Sequence, residues 1–237
     1  MLVAAAVCPC PPVLVPEVAA GAAPELDAAR AACTDALGVL AAARPDRLVV
    51  VGPARGTGPT TYPEGTPGSF RDFGVHLDVR LGADRGTGDR RRLPYAFAVA
   101  AWLLERTGWA DAPIEGLGVG ESLAPERCEE IGRETGGRAG RVALLVMGDA
   151  SVCRTLKAPG YLDERAAPFD AEVARALGTA DLAALRALDT GLARELGVSG
   201  RAPWQVLAGA AEGTALKGTL LYEDAPYGVG YVVAAWS

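Results

Sequence analysis

Four short segments of the chain place chemically active side chains beside proline or glycine, the residues that turn a backbone. They are residues 8–12 (Cys-Pro-Cys-Pro-Pro), 52–55 (Gly-Pro-Ala-Arg), 148–154 (Gly-Asp-Ala-Ser-Val-Cys-Arg) and 223–227 (Glu-Asp-Ala-Pro-Tyr). A cysteine becomes a nucleophile when a nearby positive charge lowers the pKa of its thiol, and an aspartate can act as a general base. Cys10, Cys153 and Asp149 are therefore the candidate catalytic residues.

Other polar and aromatic side chains in or beside these segments are candidate ligand contacts. They are Cys8, Arg55, Ser151, Lys157, Glu223 and Tyr227. Each also suits a simpler structural role: Ser151 can cap a turn, Arg55 and Lys157 can be solvated cations, and Cys8 or Tyr227 can fill the core. Gly52 and Gly148 each follow an apolar run, but neither begins a phosphate-binding sequence pattern.

The chain contains a single histidine, His76. Residues 75–81 alternate apolar and polar side chains, a pattern typical of a half-buried strand, and His76 falls on the polar face. A site that needs two or three imidazoles is therefore excluded for this chain alone. A Ser-His-Asp or Cys-His arrangement is excluded as well, unless His76 takes part.

Length and composition indicate a folded protein with a sizeable core, because half of the 237 residues are hydrophobic. The net charge of −6 argues against a nucleic-acid-binding surface. No apolar stretch reaches the roughly 20 residues of a membrane span, so no membrane contact is expected. The basic run Arg90-Arg91-Arg92 is typical of a solvated loop, with steering of an anionic ligand as the alternative.

The five cysteines bear on the compartment. Residues 1–7 are apolar but lack the features of a secretory signal, and we interpret them as a buried first strand. An odd number of cysteines argues against a full disulfide framework. We therefore expect reduced thiols and a cytoplasmic location.

Apolar runs and helical periodicity alternate along the chain. The pattern predicts strands at 1–7, 48–51, 75–81, 114–119, 141–147, 216–223 and 228–236. It predicts helices at 24–43, 93–107, 125–135, 168–177, 181–196 and 203–213, and loops at 52–68 and 82–92. The predicted fold is one α/β domain over residues 1–237: a mixed, mostly parallel central sheet with helices on both faces, and a pocket at the carboxyl ends of the strands.

The four segments also resemble a known family, the subunit-B-like branch of the class III extradiol ring-cleavage dioxygenases (the LigB superfamily). Residues 8–18 are similar to its Pro-His-Pro-Pro-Leu-Leu-Val-Pro-Glu opening, and residues 49–54 to a strand that ends Ser-Pro-His. Residues 148–170 resemble its Gly-Asp-x-Ser-His segment and the helix start that follows, and residues 222–231 its closing hairpin. The resemblance implies a three-layer α/β fold and an Fe(II) centre held by two histidines and a carboxylate.

The chain departs from that family at the iron ligands. Cys10 stands where the first histidine is expected, Ala54 where the second is expected, and Val152 or Cys153 where the histidine after Gly-Asp-x-Ser is expected. An alanine has no donor atom, so the ligand set that oxygen activation at Fe(II) requires is missing. We therefore predict neither a bound metal nor another cofactor.

Three functions follow as hypotheses. The first is a diverged, dioxygenase-like protein or pseudoenzyme that binds a small molecule in the strand-end pocket. The second is an enzyme with altered chemistry, in which Cys10 or Cys153 is a nucleophile or Asp149 a general base. The third is a metal-dependent dioxygenase that a partner subunit completes; a homo-oligomer is a further possibility.

Overall fold

Nine strands form two sheets in the computed structural model, which describes residues 1–84 and 91–237. The strands are β1 Leu2–Cys8, β2 Arg47–Ala54, β3 Thr60–Tyr62, β4 Pro67–Ser69, β5 Asp78–Arg80, β6 Ile114–Gly120, β7 Val142–Met147, β8 Gly218–Asp224 and β9 Tyr231–Trp236. The main sheet has the order β3-β6-β2-β7-β1-β9-β8, and β4 pairs with β5 in a separate small sheet.

The centre of the main sheet is parallel. Strand β7 lies between β1 and β2, so that Val146 is opposite Val7 on one side and Val51 on the other, and β6 continues the parallel part beyond β2. Strands β3, β9 and β8 add antiparallel pairs at the two sides. Because the parallel strands all run the same way, the segments that follow them meet at one edge of the sheet.

Helices cover both faces of this sheet. They are α1 Pro16–Ala19, α2 Asp27–Ala42, α3 Tyr95–Arg106, α4 Pro125–Gly136, α5 Ala166–Thr179, α6 Leu182–Arg186, α7 Thr190–Glu195 and α8 Arg201–Ala210. Side chains alternate between two apolar clusters: Val51 packs in the cluster that contains Trp204 of α8, and Val50 in the one that contains Phe97 of α3. The predicted three-layer α/β fold with a mixed, mostly parallel sheet is confirmed.

Three predicted elements differ from the structure. The helix predicted over 181–196 is two helices, because Asp181 caps α6 and Asp189 caps α7 by accepting from main-chain N–H groups. The strand predicted over 75–81 is limited to β5, and exposed His76 precedes it. The loop predicted over 52–68 contains β3 and the start of β4.

Part of another predicted loop lies outside the described residues. Residues 85–90 belong to the loop predicted over 82–92 and include Arg90 of the basic run. Arg91 and Arg92 are described and are exposed. Among the described residues, no helix combines the length and the apolar character that crossing a bilayer demands.

The outer strand β8 contains an irregularity in its pairing with β9. Leu220 is opposite Ala234 and Tyr222 is opposite Val233, so Leu221 is an extra residue in the ladder. Leu220 and Leu221 are both exposed although they are neighbours in a strand.

Helices α4 and α8 pack against each other through glycines. A β-carbon on Gly209 would lie 2.1 Å from the Glu129 carbonyl oxygen, and one on Gly132 would lie 2.1 Å from that of Val206. Those distances are shorter than any normal contact, so the two backbones approach closely because neither glycine carries a side chain.

We predict that Gly209→Ala lowers the free energy of unfolding by about 2 kcal/mol or more, because the added methyl forces α4 and α8 apart. Gly38 is the matched control: it is exposed inside α2, and an added β-carbon meets nothing within 4 Å. Gly38→Ala should raise the free energy of unfolding by up to about 1 kcal/mol. Urea denaturation of both variants measures this, and equal effects would contradict the close packing described above.

Candidate functional site

The residues that follow the parallel strands meet at the carboxyl edge of the sheet. Cys10 follows β1, Arg55 follows β2, Glu121 follows β6 and Asp149 follows β7. The main chain fixes this edge directly, since Gly148 N–H donates to the Cys8 carbonyl (3.1 Å).

Asp149 is the centre of the hydrogen bonds at this edge. The Cys10 N–H donates to Asp149 Oδ1 at 2.8 Å, and the Cys10 thiol faces Oδ2 at 3.8 Å. The Asp149 N–H donates to Ser199 Oγ (2.9 Å), and the Asp149 carbonyl accepts from the Gly200 N–H (3.0 Å). One residue therefore joins the β1 exit, the β7 exit and the start of α8.

Burial changes the acid–base properties of this pair. Asp149 is only 8 % exposed, and desolvation raises the pKa of its carboxyl to about 7. Two hydrogen bonds from Cys10 lower the pKa, but their effect is smaller than that of desolvation. Desolvation and then the Asp149 charge raise the pKa of the Cys10 thiol well above its usual range. The thiol of Cys10 is therefore held in its protonated form, whereas Asp149 exchanges its proton near neutral pH.

A second buried carboxyl holds the chain after Asp149. Asp170 of α5 accepts from Ser151 N–H (2.9 Å), from Ser151 Oγ (2.8 Å) and from Arg154 Nη1 (3.0 Å). Asp170 is 1 % exposed. The predicted ligand contact Ser151 is thus fully buried and engaged in holding the loop.

A buried guanidinium holds the segment after β6. Arg201, the first residue of α8, is 2 % exposed and donates to the Leu123 carbonyl (2.7 Å), to Gln205 Oε1 (2.8 Å) and to the Glu121 carbonyl. These bonds fix residues 121–123 against α8 and so fix the position from which the Glu121 side chain extends.

A cavity of about 790 Å³ opens at this edge, beside the ends of β2 and β6. Its charged lining consists of Arg55, Arg92, Asp72 and Glu121. Its aromatic lining consists of Tyr62, Phe73 and Tyr95. The predicted pocket at the strand ends is present, with a volume in the range of small-molecule sites.

Tyr95 connects the cavity with the buried pair. It is the first residue of α3, lines the cavity and is 40 % exposed. Desolvation, followed by the charges of Cys10, Asp149 and Glu121, raises the pKa of its phenol, whereas a hydrogen bond with Ser199 lowers it. Tyr95 therefore remains a neutral hydroxyl in the cavity wall, near enough to Cys10 and Asp149 for their charges to act on it.

Comparison with known proteins finds a likeness of structure. No protein-family model matches the chain, and no curated protein matches its sequence. A crystal structure of uncharacterized protein JW3007 from Escherichia coli K12 superposes with a TM-score of 0.59 and 16 % sequence identity, over 99 % of each chain. That likeness shows the fold alone.

The structure separates the other cysteines from the cavity. Cys8 is fully buried beside Cys33 of α2, and the hydrogen bond between the two thiols is the largest of the effects that raise its pKa. Cys153 is 3 % exposed, and its thiol donates to the carbonyls of Gly160 (3.5 Å) and Leu196 (3.6 Å). Desolvation raises the pKa of Cys153.

Three predicted ligand contacts also lie away from the cavity lining. Lys157 and Glu223 are exposed, and Tyr227 is partly buried beside Glu25. Of the nine predicted site residues, Cys10 and Asp149 are brought together, and Arg55 lines the cavity.

Sequence reasoning missed Glu121, Ser199 and Tyr95. Glu121 follows the predicted strand 114–119 after one residue, Gly120. The rule that functional residues gather at strand ends could therefore have found it. Ser199 and Tyr95 reach the site through the packing of α8 and α3, which no local pattern signals.

The Fe(II) centre that the family resemblance implies does not fit these residues. Ala54 offers no donor atom, and Cys10 is a protonated thiol turned toward Asp149. Across residues 1–84 and 91–237, no group of three or more His, Cys, Asp or Glu side chains could hold a metal ion.

The raised pKa of Asp149 predicts how stability depends on pH. The folded state keeps a proton up to about pH 7, whereas the unfolded chain releases it near pH 4. This contribution to the free energy of unfolding is fully present below about pH 4 and is lost as the pH rises to 7. Its amplitude is on the order of 4 kcal/mol, from about 1.4 kcal/mol per pKa unit.

Asp149→Asn should therefore gain stability relative to the parent protein between pH 4.5 and 8, because the amide cannot ionise. Urea denaturation at several pH values measures the difference. Asp111→Asn, at an exposed position, should leave the pH dependence unchanged. Parallel stability curves for Asp149→Asn and the parent would contradict the buried, proton-binding carboxyl.

Asp170→Ala should lower the free energy of unfolding by about 3 kcal/mol or more, because it leaves a buried N–H, a hydroxyl and a guanidinium without their acceptor. Glu172→Ala is the control on the same helix: Glu172 is exposed and pairs with exposed Arg175, so little change is expected. Thermal or urea unfolding distinguishes the two, and a small effect of Asp170→Ala would be the contrary outcome.

Proposed function

We propose that the protein binds a small polar molecule in the strand-end cavity, as a diverged, extradiol-dioxygenase-like protein that does not use Fe(II) ring-cleavage chemistry. The observation that carries this proposal is the cavity of about 790 Å³ at the carboxyl ends of β2 and β6. Ala54, which stands where the family resemblance expects a histidine, lines it. A ligand can therefore occupy the space while the metal ligands are missing.

The lining indicates what kind of molecule fits. Arg55 and Arg92 are exposed cations at the wall, and a guanidinium binds a carboxylate through two parallel hydrogen bonds. Tyr62 and Phe73 supply aromatic surface. A small molecule with an acidic group near Arg55 and an apolar part against the rings suits this lining.

A second function is favoured by one observation, the pKa of about 7 for Asp149. A carboxyl that exchanges its proton near neutral pH suits general acid–base catalysis. In that function Asp149 would move a proton from behind the cavity wall, since Tyr95 lines the cavity and Asp149 does not. A reaction that uses Cys10 as a nucleophile is less well supported, because burial favours the unreactive thiol.

Three further expectations stay predictions, because no contact described above tests them. They are a partner subunit that completes a metal site, a homo-oligomer, and the lack of a cofactor. We propose a cytoplasmic location, which the five cysteines support because all of them are free thiols.

We test the binding proposal with a library of small carboxylic acids, screened by ligand-observed NMR. At least one acid should bind the parent protein. Ser122→Trp should abolish that binding, because Ser122 is an exposed residue of the cavity wall and the indole fills the space. Arg55→Met should weaken it by about tenfold, the loss of one charge-assisted contact.

Lys157→Met is the matched control, since Lys157 is an exposed cation outside the cavity lining. It should bind the same acids as the parent. Binding that survives Ser122→Trp would place the ligand outside this cavity. Equal effects of Arg55→Met and Lys157→Met would show that Arg55 acts through the overall charge of the protein and not through a contact with the ligand.

A further inference from the structure

Most of the exposed apolar side chains lie at one side of the sheet. Eight large apolar side chains are exposed across residues 1–84 and 91–237, and five of them belong to β8 or to the loop of residues 155–162. We call these five the β8 surface; they are Leu156, Tyr161, Leu162, Leu220 and Leu221. Strand β8 is an outer strand of the main sheet, and no described strand pairs with its outer side. A group of exposed apolar residues marks an interaction surface, whereas scattered single ones do not.

The loop of residues 155–162 is joined to the end of β8 through the turn between β8 and β9. Arg154 N–H donates to the Gly228 carbonyl (3.0 Å), and a β-carbon on Gly228 would lie 2.5 Å from that of Ala158. The Tyr161 N–H in turn donates to the Ala158 carbonyl (2.9 Å). The apolar side chains of the loop therefore extend from an ordered backbone, and burying them against a partner requires little further ordering.

Charges of opposite sign lie at the two ends of β8. Lys217 comes directly before the strand, and Glu223 and Asp224 end it, with Leu220 and Leu221 between them. All three charged side chains are exposed. Within the described part of the chain, neither Lys217 nor Glu223 forms an ion pair. The strand between these two residues is about 20 Å long, so their side chains cannot reach each other within one chain.

This order of charges is complementary to itself under a twofold rotation. When two β8 strands lie antiparallel around an axis beside Leu220 and Leu221, Lys217 of one copy faces Glu223 of the other. The symmetry repeats this contact on the opposite side of the axis, and the leucines of the two copies meet at its centre. A parallel arrangement would place like charges together. The charges of β8 therefore match a second copy of this chain in the antiparallel direction.

The irregular pairing of β8 determines which groups form the contact. Leu221 is an extra residue in the ladder with β9, so the outer main-chain groups of β8 are not evenly spaced. Two copies therefore meet through side chains. Leu220 is held in place for this contact, because a β-carbon on Gly178 of α5 would lie 2.9 Å from its own β-carbon.

We propose that two copies of the chain form a homodimer through the β8 surface, related by a twofold axis beside Leu220 and Leu221. A stable dimer buries about 800 Å² on each partner, which is more than two leucines provide. The loop of residues 155–162 supplies the additional apolar area, since it borders the end of β8 in each copy. The ion pairs between Lys217 and the partner's Glu223 fix the antiparallel direction.

The dimer does not depend on the proposed function. The cavity lies beside β2 and β6, whereas β8 is at the far side of β7, β1 and β9 in the sheet order. Both cavities of a dimer therefore stay open. Failure of ligand binding leaves the dimer standing, and a monomeric protein leaves the binding proposal standing.

The mass of the full chain in solution, measured by sedimentation equilibrium, tests the dimer. A dimer with a Kd in the micromolar range is mostly associated at about 100 μM protein. We expect a mass near twice the 24.3 kDa of one chain. A parent protein that has the mass of a single chain at this concentration overturns the proposal.

Two charge reversals test the twofold arrangement. Lys217→Glu and Glu223→Lys should each weaken the dimer by about tenfold or more, because both symmetric contacts change from attraction to repulsion. An equal mixture of the two variants should dimerise as strongly as the parent, because each substituted position then faces the opposite charge. Variants that stay dimeric when separate, or stay monomeric when mixed, overturn the antiparallel contact.

A third variant tests the centre of the contact, and two controls exclude general effects. Leu221→Arg should dissociate the dimer, because it places two cations at the axis, and an unchanged mass would contradict the proposal. Phe73→Arg is the matched control, since Phe73 is an exposed apolar residue of the cavity wall outside the β8 surface. Glu126→Lys, an exposed charge reversal on α4, is the control for Glu223→Lys. Both controls should remain dimeric, and dissociation of either one would contradict an interface at β8.

Discussion

The hydrogen bonds of Asp149 fix three distant parts of the chain at one point. Its side chain holds the β1 exit through the Cys10 N–H, and its main chain holds the start of α8 through Ser199 and Gly200. The geometry of the carboxyl edge depends on these bonds, because the β1 and β7 exits are far apart in sequence and α8 lies on one face of the sheet. Asp149 can therefore take part in chemistry only in ways that keep these hydrogen bonds intact.

Two buried aspartates organise this edge in different ways. Asp170 binds a guanidinium as well as main-chain and hydroxyl donors, so its negative charge is compensated. Among the described residues, Asp149 has no such cation as a hydrogen-bond partner, and its pKa rises. The two carboxyls follow the same principle, that a buried charge needs a partner. Lack of that partner makes Asp149 the chemically adaptable one.

The sequence predicts the sheet better than it predicts the site. The central strands β2 and β7 were evident because strands buried on both faces are continuous apolar runs. The break between α6 and α7 was not, because residues 181–196 keep a helical apolar period while Asp189 caps a new helix. Cys10 and Asp149 do meet at the strand ends, but strand ends alone do not say toward which layer a side chain turns.

The fate of the individual candidates shows this physical limit. Cys8 and Cys10 are two residues apart, yet one thiol meets Cys33 of α2 and the other meets Asp149. Cys153 follows the same strand as Asp149 but turns into the loop that Gly160 and Leu196 close. Tyr95 and Ser199 enter the site only after two helices have packed on opposite faces of the sheet. Such contacts are set by tertiary packing, which local patterns do not encode.

The extra residue Leu221 also determines how the sheet ends. A sheet edge with evenly spaced N–H and C=O groups is a template on which another polypeptide strand can pair and aggregate. The bulge at Leu221 disturbs that spacing, and Glu223 and Asp224 add negative charges after Tyr222. The two exposed leucines of β8 are therefore presented on an irregular border, which protects the molecule against growth of its sheet by addition of foreign strands.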